Sequence, residues 1–468
     1  MKNESYPARV EKTILDVIGQ TPCVKINRVC QEVDAEVYGK LEFLNPGGSI
    51  KDRLGYYLIL DAEKKGTLKP GGTVIEGTSG NTGVGLAITS AIRGYQCVFV
   101  LPDKMSDEKI KNLRAFGAKV VVTPTAVEPD DPRSYYSVSR RLAEETPNSI
   151  YIDQYNNLAN RECHYTWTGP EILNQMPDID VFMAGIGTGG TICGVGKYLK
   201  EQKPDVKIVA VDPIGSIVYD TFKTGKSPEA KTYKIEGIGE DFIPKNYDFS
   251  VIDDMVQVDD QESFLMTREL LTKEGIYGGI SSGSVIVGAN RWLSQNQAKM
   301  KGKKVLLLLP DSGNRYLSKV FDDEWMVEAG FLDRSSRGKV DDLLHFLGKK
   351  DDEVTVAHPR QKVAETIQLM RDHGISQLPV KDQEGWYKGV VTEEAILLEL
   401  YEGKIKPSDA IETVMNADIE FVKVSDPIEK VSKVVMADRY PLVIKPGTES
   451  EIKAIITKID LLSYLGAR

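Results

Sequence analysis

The chain has 468 residues, room for about three domains at roughly 150 residues each, and its 59 basic against 69 acidic side chains leave a net charge of −10. With 41% hydrophobic residues it can bury a sizeable core, which excludes disorder as its main state, and a negative balance with no Lys/Arg run excludes nucleic acid and anionic lipid as partners. The longest plain aliphatic run, Val305 to Leu309, is far short of the ~20 apolar residues that span a bilayer.

The amino terminus, MKNESYPARVEK, lacks the apolar stretch and cleavage site of a secretory signal, so the chain is expected in the cytoplasm. Cys23, Cys30, Cys97, Cys163 and Cys193 show no Cys-x-x-Cys spacing, and His164, His345, His358 and His373 show no metal-ligand spacing. Reduced thiols and no metal are therefore expected, with no catalytic role for the histidines. From about residue 70 to 310, β-branched runs alternate with helical patterns, which predicts a parallel α/β sheet covered by helices on both faces. Strands are predicted at 97–101, 119–123, 181–185, 207–212 and 304–309, with a helix over 106–118.

Four segments within this rhythm carry chemistry. Asn45-Pro46-Gly47-Gly48-Ser49-Ile50-Lys51-Asp52-Arg53 delivers a lysine where a helix begins near Asp52. An ammonium meeting the positive helix end needs an anion or conversion to a Schiff base, although a surface lysine after a turn would read the same way. Glu76-Gly77-Thr78-Ser79-Gly80-Asn81-Thr82-Gly83 gathers backbone N–H groups and three hydroxyls at the next helix start. They can hold a carboxylate while the Asn81 amide donates to a ring oxygen, and eight glycine-spaced polar residues exceed what a helix cap requires.

Gly185-Ile186-Gly187-Thr188-Gly189-Gly190-Thr191 follows a strand and opens a helix, an anion cradle suited to a phosphate. It also satisfies G-x-G-x-x-G, with Asp212 ending the next strand, so a dinucleotide site is an open alternative. Gly278-Gly279-Ile280-Ser281-Ser282-Gly283-Ser284 starts a further helix; its hydroxyls could meet a heteroaromatic nitrogen or simply cap.

After Phe331 and Leu332 the composition turns to DRSSRGKVDD, which predicts a linker over 333–340 between a core at 1–332 and a module at 341–468. The module repeats itself at an offset of about 65 residues, each copy reading helix, strand, strand, helix. One copy buries too little surface to stand alone, so the two are expected to pack together.

In this order the four segments resemble the fold type II pyridoxal phosphate enzymes, and the likeness covers almost the whole chain. It implies a tryptophan synthase β-like, three-layer core of two α/β subdomains with a C-terminal α+β tandem CBS-domain pair. Lys51 matches the Schiff-base lysine of G-S-x-K-D-R, Thr78 to Thr82 the asparagine loop T-S-G-N-T, and Gly187, Thr188, Gly189, Gly190 and Thr191 the phosphate loop. Ser281 falls where the family's serine bonds the pyridine nitrogen; Thr78, Ser79, Asn81, Thr82, Gln154 and Tyr155 fall at substrate-pocket positions, and the match extends to EGIG (236–239) and LPDS (309–312).

The resemblance implies pyridoxal 5′-phosphate as cofactor and a β-replacement joining serine to homocysteine, with cysteine releasing hydrogen sulfide as a further reaction. Lys51 would serve as both anchor and base, and a neutral serine at the ring nitrogen would favour elimination over transamination. Where the family's animal and yeast members carry tyrosine after E-G-I-G, this chain has Glu240, whose carboxylate could pair with the homocysteine ammonium or lie solvated in a loop. The chain starts almost directly at the core, without the haem-binding extension of the animal enzymes, so no haem is expected. The tail resembles modules that bind adenosyl ligands through Thr-x-x-Asp, matched by Thr457 and Asp460, with S-adenosylmethionine as the expected ligand. Thr392-Glu393-Glu394-Ala395 lacks that aspartate, so one competent site is expected. A purely structural dimerisation module is the other reading, and self-association, as a homodimer or larger, is expected in either case. The rival activities are a cysteine synthase using O-acetylserine and sulfide, a nicotinamide-dependent oxidoreductase that leaves Lys51 and Asn81 without a role, and a catalytically silent adenosyl sensor.

Overall fold

Strands covered on both faces have to be apolar almost throughout, and Thr73–Gly77 is buried at every residue and Lys207–Pro213 at every residue but its first. The computed structural model describes residues 10–30, 34–78, 80–103, 107–124, 127, 131–332, 338–349, 354–448 and 451–466. Among them, the strands of the first compact unit, Met1–Trp325, sort into two sheets. A six-stranded sheet has the order Cys23–Lys25, Glu36–Leu41, Lys304–Leu309, Val181–Gly185, Lys207–Pro213, Asp254–Val258. It is parallel except for the antiparallel pairing of its first two strands. The second sheet, Lys119–Thr123, Gln96–Pro102, Thr73–Gly77, Ser149–Tyr151, is parallel throughout. Each has its own apolar core, one built around Phe182, Ile192 and Leu306, the other around Leu58, Leu86 and Phe99.

The five strands read from the sequence lie within a residue of their expected ends. The helix expected over 106–118 runs Asp107–Ala115, because Gly117 takes a positive φ of 83° that ends it. Three of the four chemistry-bearing loops follow the carboxyl ends of strands, where parallel sheets open their clefts, and the fourth, before Ile280–Gln295, joins two helices. Two helices lead away from that cleft, Lys51–Lys64 and Asn81–Arg93. They touch backbone to backbone: a Cβ at Gly55 would lie 2.3 Å from the carbonyl carbon of Gly85, and one at Gly85 would lie 2.2 Å from the Lys51 carbonyl oxygen. Glycine at both positions brings the two helix starts side by side.

The second unit is Met326–Arg468, so the division falls within the short helix Asp323–Glu328, ahead of the expected boundary at 332. Residues 333–337 of the expected linker lie outside the described residues. The repeat is present. Val363–His373, Gln377–Lys381, Tyr387–Thr392 and Glu393–Tyr401 form one copy; Ile428–Met436, Tyr440–Ile444, Ile452–Ile455 and Lys458–Gly466 form the other. A shared cluster of Val390, Leu442 and Ile452 packs the copies together. The helix Val340–Phe346, first in the module, belongs to the core of the second copy, its Val340, Leu343 and Leu344 packing with Val422, Val431 and Tyr464.

Candidate active site

The lysine turn is built before the lysine is reached. Asn45 accepts from the Gly19 amide at 2.8 Å and donates to the Glu42 carbonyl at 2.8 Å. Gly48 takes a φ of 78°, and the Ile50 amide donates to the Pro310 carbonyl at 2.8 Å, tying the turn to the end of strand Lys304–Leu309. Lys51 is the first residue of its helix, with its amide capped by Ser49 Oγ at 3.2 Å. Two residues on, the buried Arg53 clamps the helix: Nε and Nη2 reach Glu42 at 2.8 and 2.9 Å, and Nη1 and Nη2 reach Glu171 at 2.7 and 2.8 Å. Lys40, also buried, completes the cluster on Glu171 at 2.5 Å. Burial pushes the Lys51 amine down to about 8, against the opposing pull of the Glu240 carboxylate. At neutral pH it is poised to lose its proton.

Asn81 opens the neighbouring helix, and its Nδ2 donates to Asp311 at 2.9 Å. Thr82 Oγ1 donates to Gln154 Oε1 at 2.7 Å, and Thr78 Oγ1 accepts from the Gly80 amide at 3.1 Å. Ser79 lies outside the described residues. Gln154 and the preceding Asp153 are held by the buried Glu76, which accepts from their amides at 3.3 and 2.8 Å. Burial pushes the Glu76 carboxyl up to about 8. Tyr155 packs its ring against Tyr136 and Phe242.

Across the cleft, the helix Gly190–Gln202 presents its amino end. The glycines before it leave no room for side chains: a Cβ at Gly187 would lie 2.7 Å from the Gly237 carbonyl oxygen, at Gly189 2.2 Å from the Tyr247 ring, and at Gly190 1.9 Å from Asn160 Oδ1. Two residues absent from the sequence reading, and a histidine given no role there, brace this loop. Tyr247 donates to the Gly187 carbonyl at 2.5 Å, Asn160 Nδ2 donates to Thr188 Oγ1 at 3.0 Å, and His164 Nε2 meets Thr191 Oγ1 at 3.2 Å. Burial holds the His164 imidazole well below its usual range, a neutral partner for the loop.

Ser281, second in the helix Ile280–Gln295, is buried at the cavity wall. Glu240 also lines the wall; burial and the neighbouring Asp241 push its carboxyl up to about 8 while Lys51 pulls it down. Its main chain is pinned by Ser216, which accepts from the Glu240 amide at 3.0 Å and donates to the Glu240 carbonyl at 3.2 Å. At the rim, Glu236 of EGIG pairs with Lys109 and Lys319.

One cavity of about 840 Å³ brings Lys51, Asn81, Thr82, Gln154 and Tyr155 together with Gly187, Thr188, Gly189, Thr191, Glu240 and Ser281. Thr78 and Gly190 are buried immediately behind its wall. Asp212 is no part of the wall; it is fully buried, with one oxygen accepting from the Tyr219 amide at 2.9 Å, so the ribose acceptor of a dinucleotide site does not face the cavity. The donor set fits a pyridoxal phosphate: an amine with lowered basicity for the aldehyde, a helix end with two threonine hydroxyls for the phosphate, an amide and a hydroxyl for the ring. Glycines that any Cβ would jam mark where it would seat. Among the described residues, no group of three or more histidine, cysteine or acidic side chains could hold a metal ion.

In the tail, Thr457 and Asp460 cap the helix Lys458–Gly466 reciprocally: Thr457 Oγ1 accepts from the Asp460 amide at 3.2 Å, and Asp460 Oδ2 accepts from the Thr457 amide at 2.9 Å. Lys349 Nζ sits 3.0 Å from the same Asp460 oxygen. In the first copy Thr392 caps alone, accepting from the Ala395 amide at 3.1 Å.

Comparison with known proteins agrees with this geometry. The family model described as pyridoxal-phosphate dependent enzyme matches residues 14–311, and the CBS domain model matches 350–402 and 411–467. Cystathionine beta-synthase of Dictyostelium discoideum is 40% identical over 464 residues, covering 97% of this chain and 92% of its own. The Oryctolagus cuniculus protein of that name is 38% identical, covering 97% and 85%, and the Saccharomyces cerevisiae one 35% identical, covering 99% and 100%. A solved hydrogen sulfide-producing enzyme from Fusobacterium nucleatum superposes with a TM-score of 0.61 at 36% identity, over 66% of this chain and 99% of that one.

Proposed function

Because this chain belongs to the cystathionine β-synthase family of pyridoxal-phosphate dependent enzymes, it condenses L-serine with L-homocysteine to cystathionine and water, and we propose that its residues divide that work as follows. Lys51 anchors the cofactor through Nζ and, once released, takes the proton from the substrate Cα. Gly187 to Thr191 hold the phosphate, Asn81 donates to the ring oxygen, and Ser281 meets the ring nitrogen as a neutral partner. Thr78, Ser79, Asn81 and Thr82 grip the serine carboxylate, with Gln154 and Tyr155 shaping the pocket. The bound cofactor supplies an electron sink that stabilises negative charge at Cα.

The observation that carries this division is Lys51 itself, a buried amine at a helix start, facing the phosphate cradle across a shared cavity. Serine with homocysteine is expected to give a higher kcat/KM than O-acetylserine with sulfide; the reverse would make the chain a cysteine synthase in practice. Lys51→Ala is expected to abolish both turnover and the visible absorbance of the bound cofactor. Likeness to the hydrogen sulfide-producing enzyme supports cysteine as an alternative first substrate, with hydrogen sulfide leaving in place of water.

Glu240 we assign to the incoming homocysteine ammonium, because it is a wall carboxylate close enough to Lys51 for each to shift the other's proton affinity. Above pH 8, where the carboxylate is ionised, Glu240→Gln is expected to raise the homocysteine KM about ten-fold with little change in that of serine, the size of one lost charge-assisted bond, and to have a smaller effect at pH 7.

For the tail we propose S-adenosylmethionine at Thr457 and Asp460, whose carboxylate can accept two ribose hydroxyls once Lys349 moves aside. We further place the boundary between the catalytic part and the regulatory pair at 333–340, supported by the charged run there and by the gap between the two family matches. Self-association as a homodimer is supported by exposed apolar side chains on equivalent helices of the two copies, Leu397, Leu398 and Tyr401 on one and Ile459 and Leu462 on the other. Among the described residues no helix is long and apolar enough to cross a membrane, which is consistent with work in the cytoplasm.

A further inference from the structure

The segment Pro310–Gly313 lines the cavity with Pro310 and Asp311 and holds three elements at once. The Pro310 carbonyl accepts from the Ile50 amide at 2.8 Å, and the Ser312 amide donates to the Gly48 carbonyl at 3.2 Å, so one edge clips the lysine turn. The Asp311 carbonyl accepts from the Gly279 amide at 2.9 Å, and the Gly313 amide donates to the Tyr277 carbonyl at 3.0 Å, so the other edge clips the start of the Ser281 helix. The Asp311 side chain reaches the third element. It is 2% exposed, and its Oδ2 accepts from Asn81 Nδ2 at 2.9 Å and from the Tyr316 hydroxyl at 2.7 Å. Its Oδ1 is buried without a hydrogen-bond partner, and a Cβ at Gly279 would lie only 2.1 Å from it.

An ionised carboxylate can only accept, so the Asn81 atom turned toward Asp311 has to be the amide nitrogen. That fixes the hand of an amide that could otherwise flip at little cost, and leaves the second N–H of Nδ2 to donate into the cavity. We propose that Asp311 is a positioning residue that sets the orientation of the Asn81 amide, so that nitrogen and not oxygen meets the ring oxygen of the cofactor. Tyr316 supports it by holding the carboxylate from the far side. The inference rests on the cofactor reading given above and deepens it.

The test is a double-mutant cycle on the full-length holoenzyme, read by the visible absorbance band of the lysine-bound cofactor, its pH titration, and cofactor affinity measured by fluorescence on reloading. Asp311→Ala and Asn81→Ala are each expected to displace the titration in the same direction and to weaken cofactor binding about ten-fold, the effect of one lost charge-assisted bond. The double variant is expected to be no more than about two-fold worse than Asn81→Ala alone, because the two act as a unit. An unchanged band and affinity in Asp311→Ala, or losses that multiply in the double variant, would overturn the proposal. If Asp311→Ala does not fold, Asp311→Asn takes its place, since an amide there can present either atom; a shift that depends on Asn81 is expected, and wild-type behaviour overturns the role. A colourless wild type that takes up no pyridoxal phosphate would sink the cofactor reading itself, whereas a coloured wild type with indifferent variants sinks only Asp311.

Discussion

Lys51 and Glu76 show how burial at single positions writes pH into the molecule. Only the neutral form of the Lys51 amine attacks an aldehyde, and burial sets its change of state at about 8. The rate at which cofactor-free protein captures pyridoxal phosphate is therefore expected to climb with pH through that value and then level off, followed by stopped-flow absorbance. Glu76 carries the opposite dependence. Its folded-state carboxyl is raised to about 8, above the ~4.3 of an unfolded chain, so between those values the native state holds more protons. The stability it contributes is complete below the lower value and is lost as pH rises through the upper. Glu76→Gln has one acceptor oxygen for the two amides, so it keeps the 2.8 Å bond from Asp153 and gives up the 3.3 Å contact from Gln154. Its melting temperature relative to the parent is expected to be about 2–4 °C more favourable at pH 9 than at pH 5.

At the level of elements, the site depends on two helices meeting without side chains between them. Gly55→Ala is expected to cost about 1–3 kcal/mol in denaturant unfolding, because its Cβ would press on the Gly85 backbone. Forcing the helices apart should also separate Lys51 from Asn81, so the same variant should hold the cofactor more weakly. Such pairings mark where sequence reading stops. Lys51, Asn81, Thr188 and Ser281 were legible because each stands in an unbroken string in which a glycine turn runs into a helix start, and local chemistry explains every letter. Asn160 and Tyr247 were not, since their partners lie 28 and 60 residues away in the chain and no local pattern marks them; Asp311 was legible as a letter of LPDS, but its partner Asn81, 230 residues away, was not. Strand positions were legible from apolar runs, but strand order was not, because the division into two sheets is decided by which faces the helices cover. The pair Thr457 and Asp460 shows the reverse case, a motif read for its ligand that also serves as a capping box.

Considered as a whole molecule, the chain joins a pyridoxal-phosphate dependent part to a pair of CBS domains, and the ligand proposed for that pair can be tested in the intact protein. Calorimetry with S-adenosylmethionine is expected to give heat corresponding to one site per chain, abolished in Asp460→Ala and preserved in Thr392→Ala. The helix Val340–Phe346 has a further bearing on how the tail can be cut. It enters the module first yet supplies Val340, Leu343 and Leu344 to the core of the last copy, so beginning and end of the module are knitted into one fabric. A shortened chain stopped at 410 would strip those three side chains of their cover and leave them sticky. It is expected to aggregate by light scattering, whereas one stopped at 332 should stay dispersed. The final 58 residues thus act as a lid that the module's own entrance cannot do without.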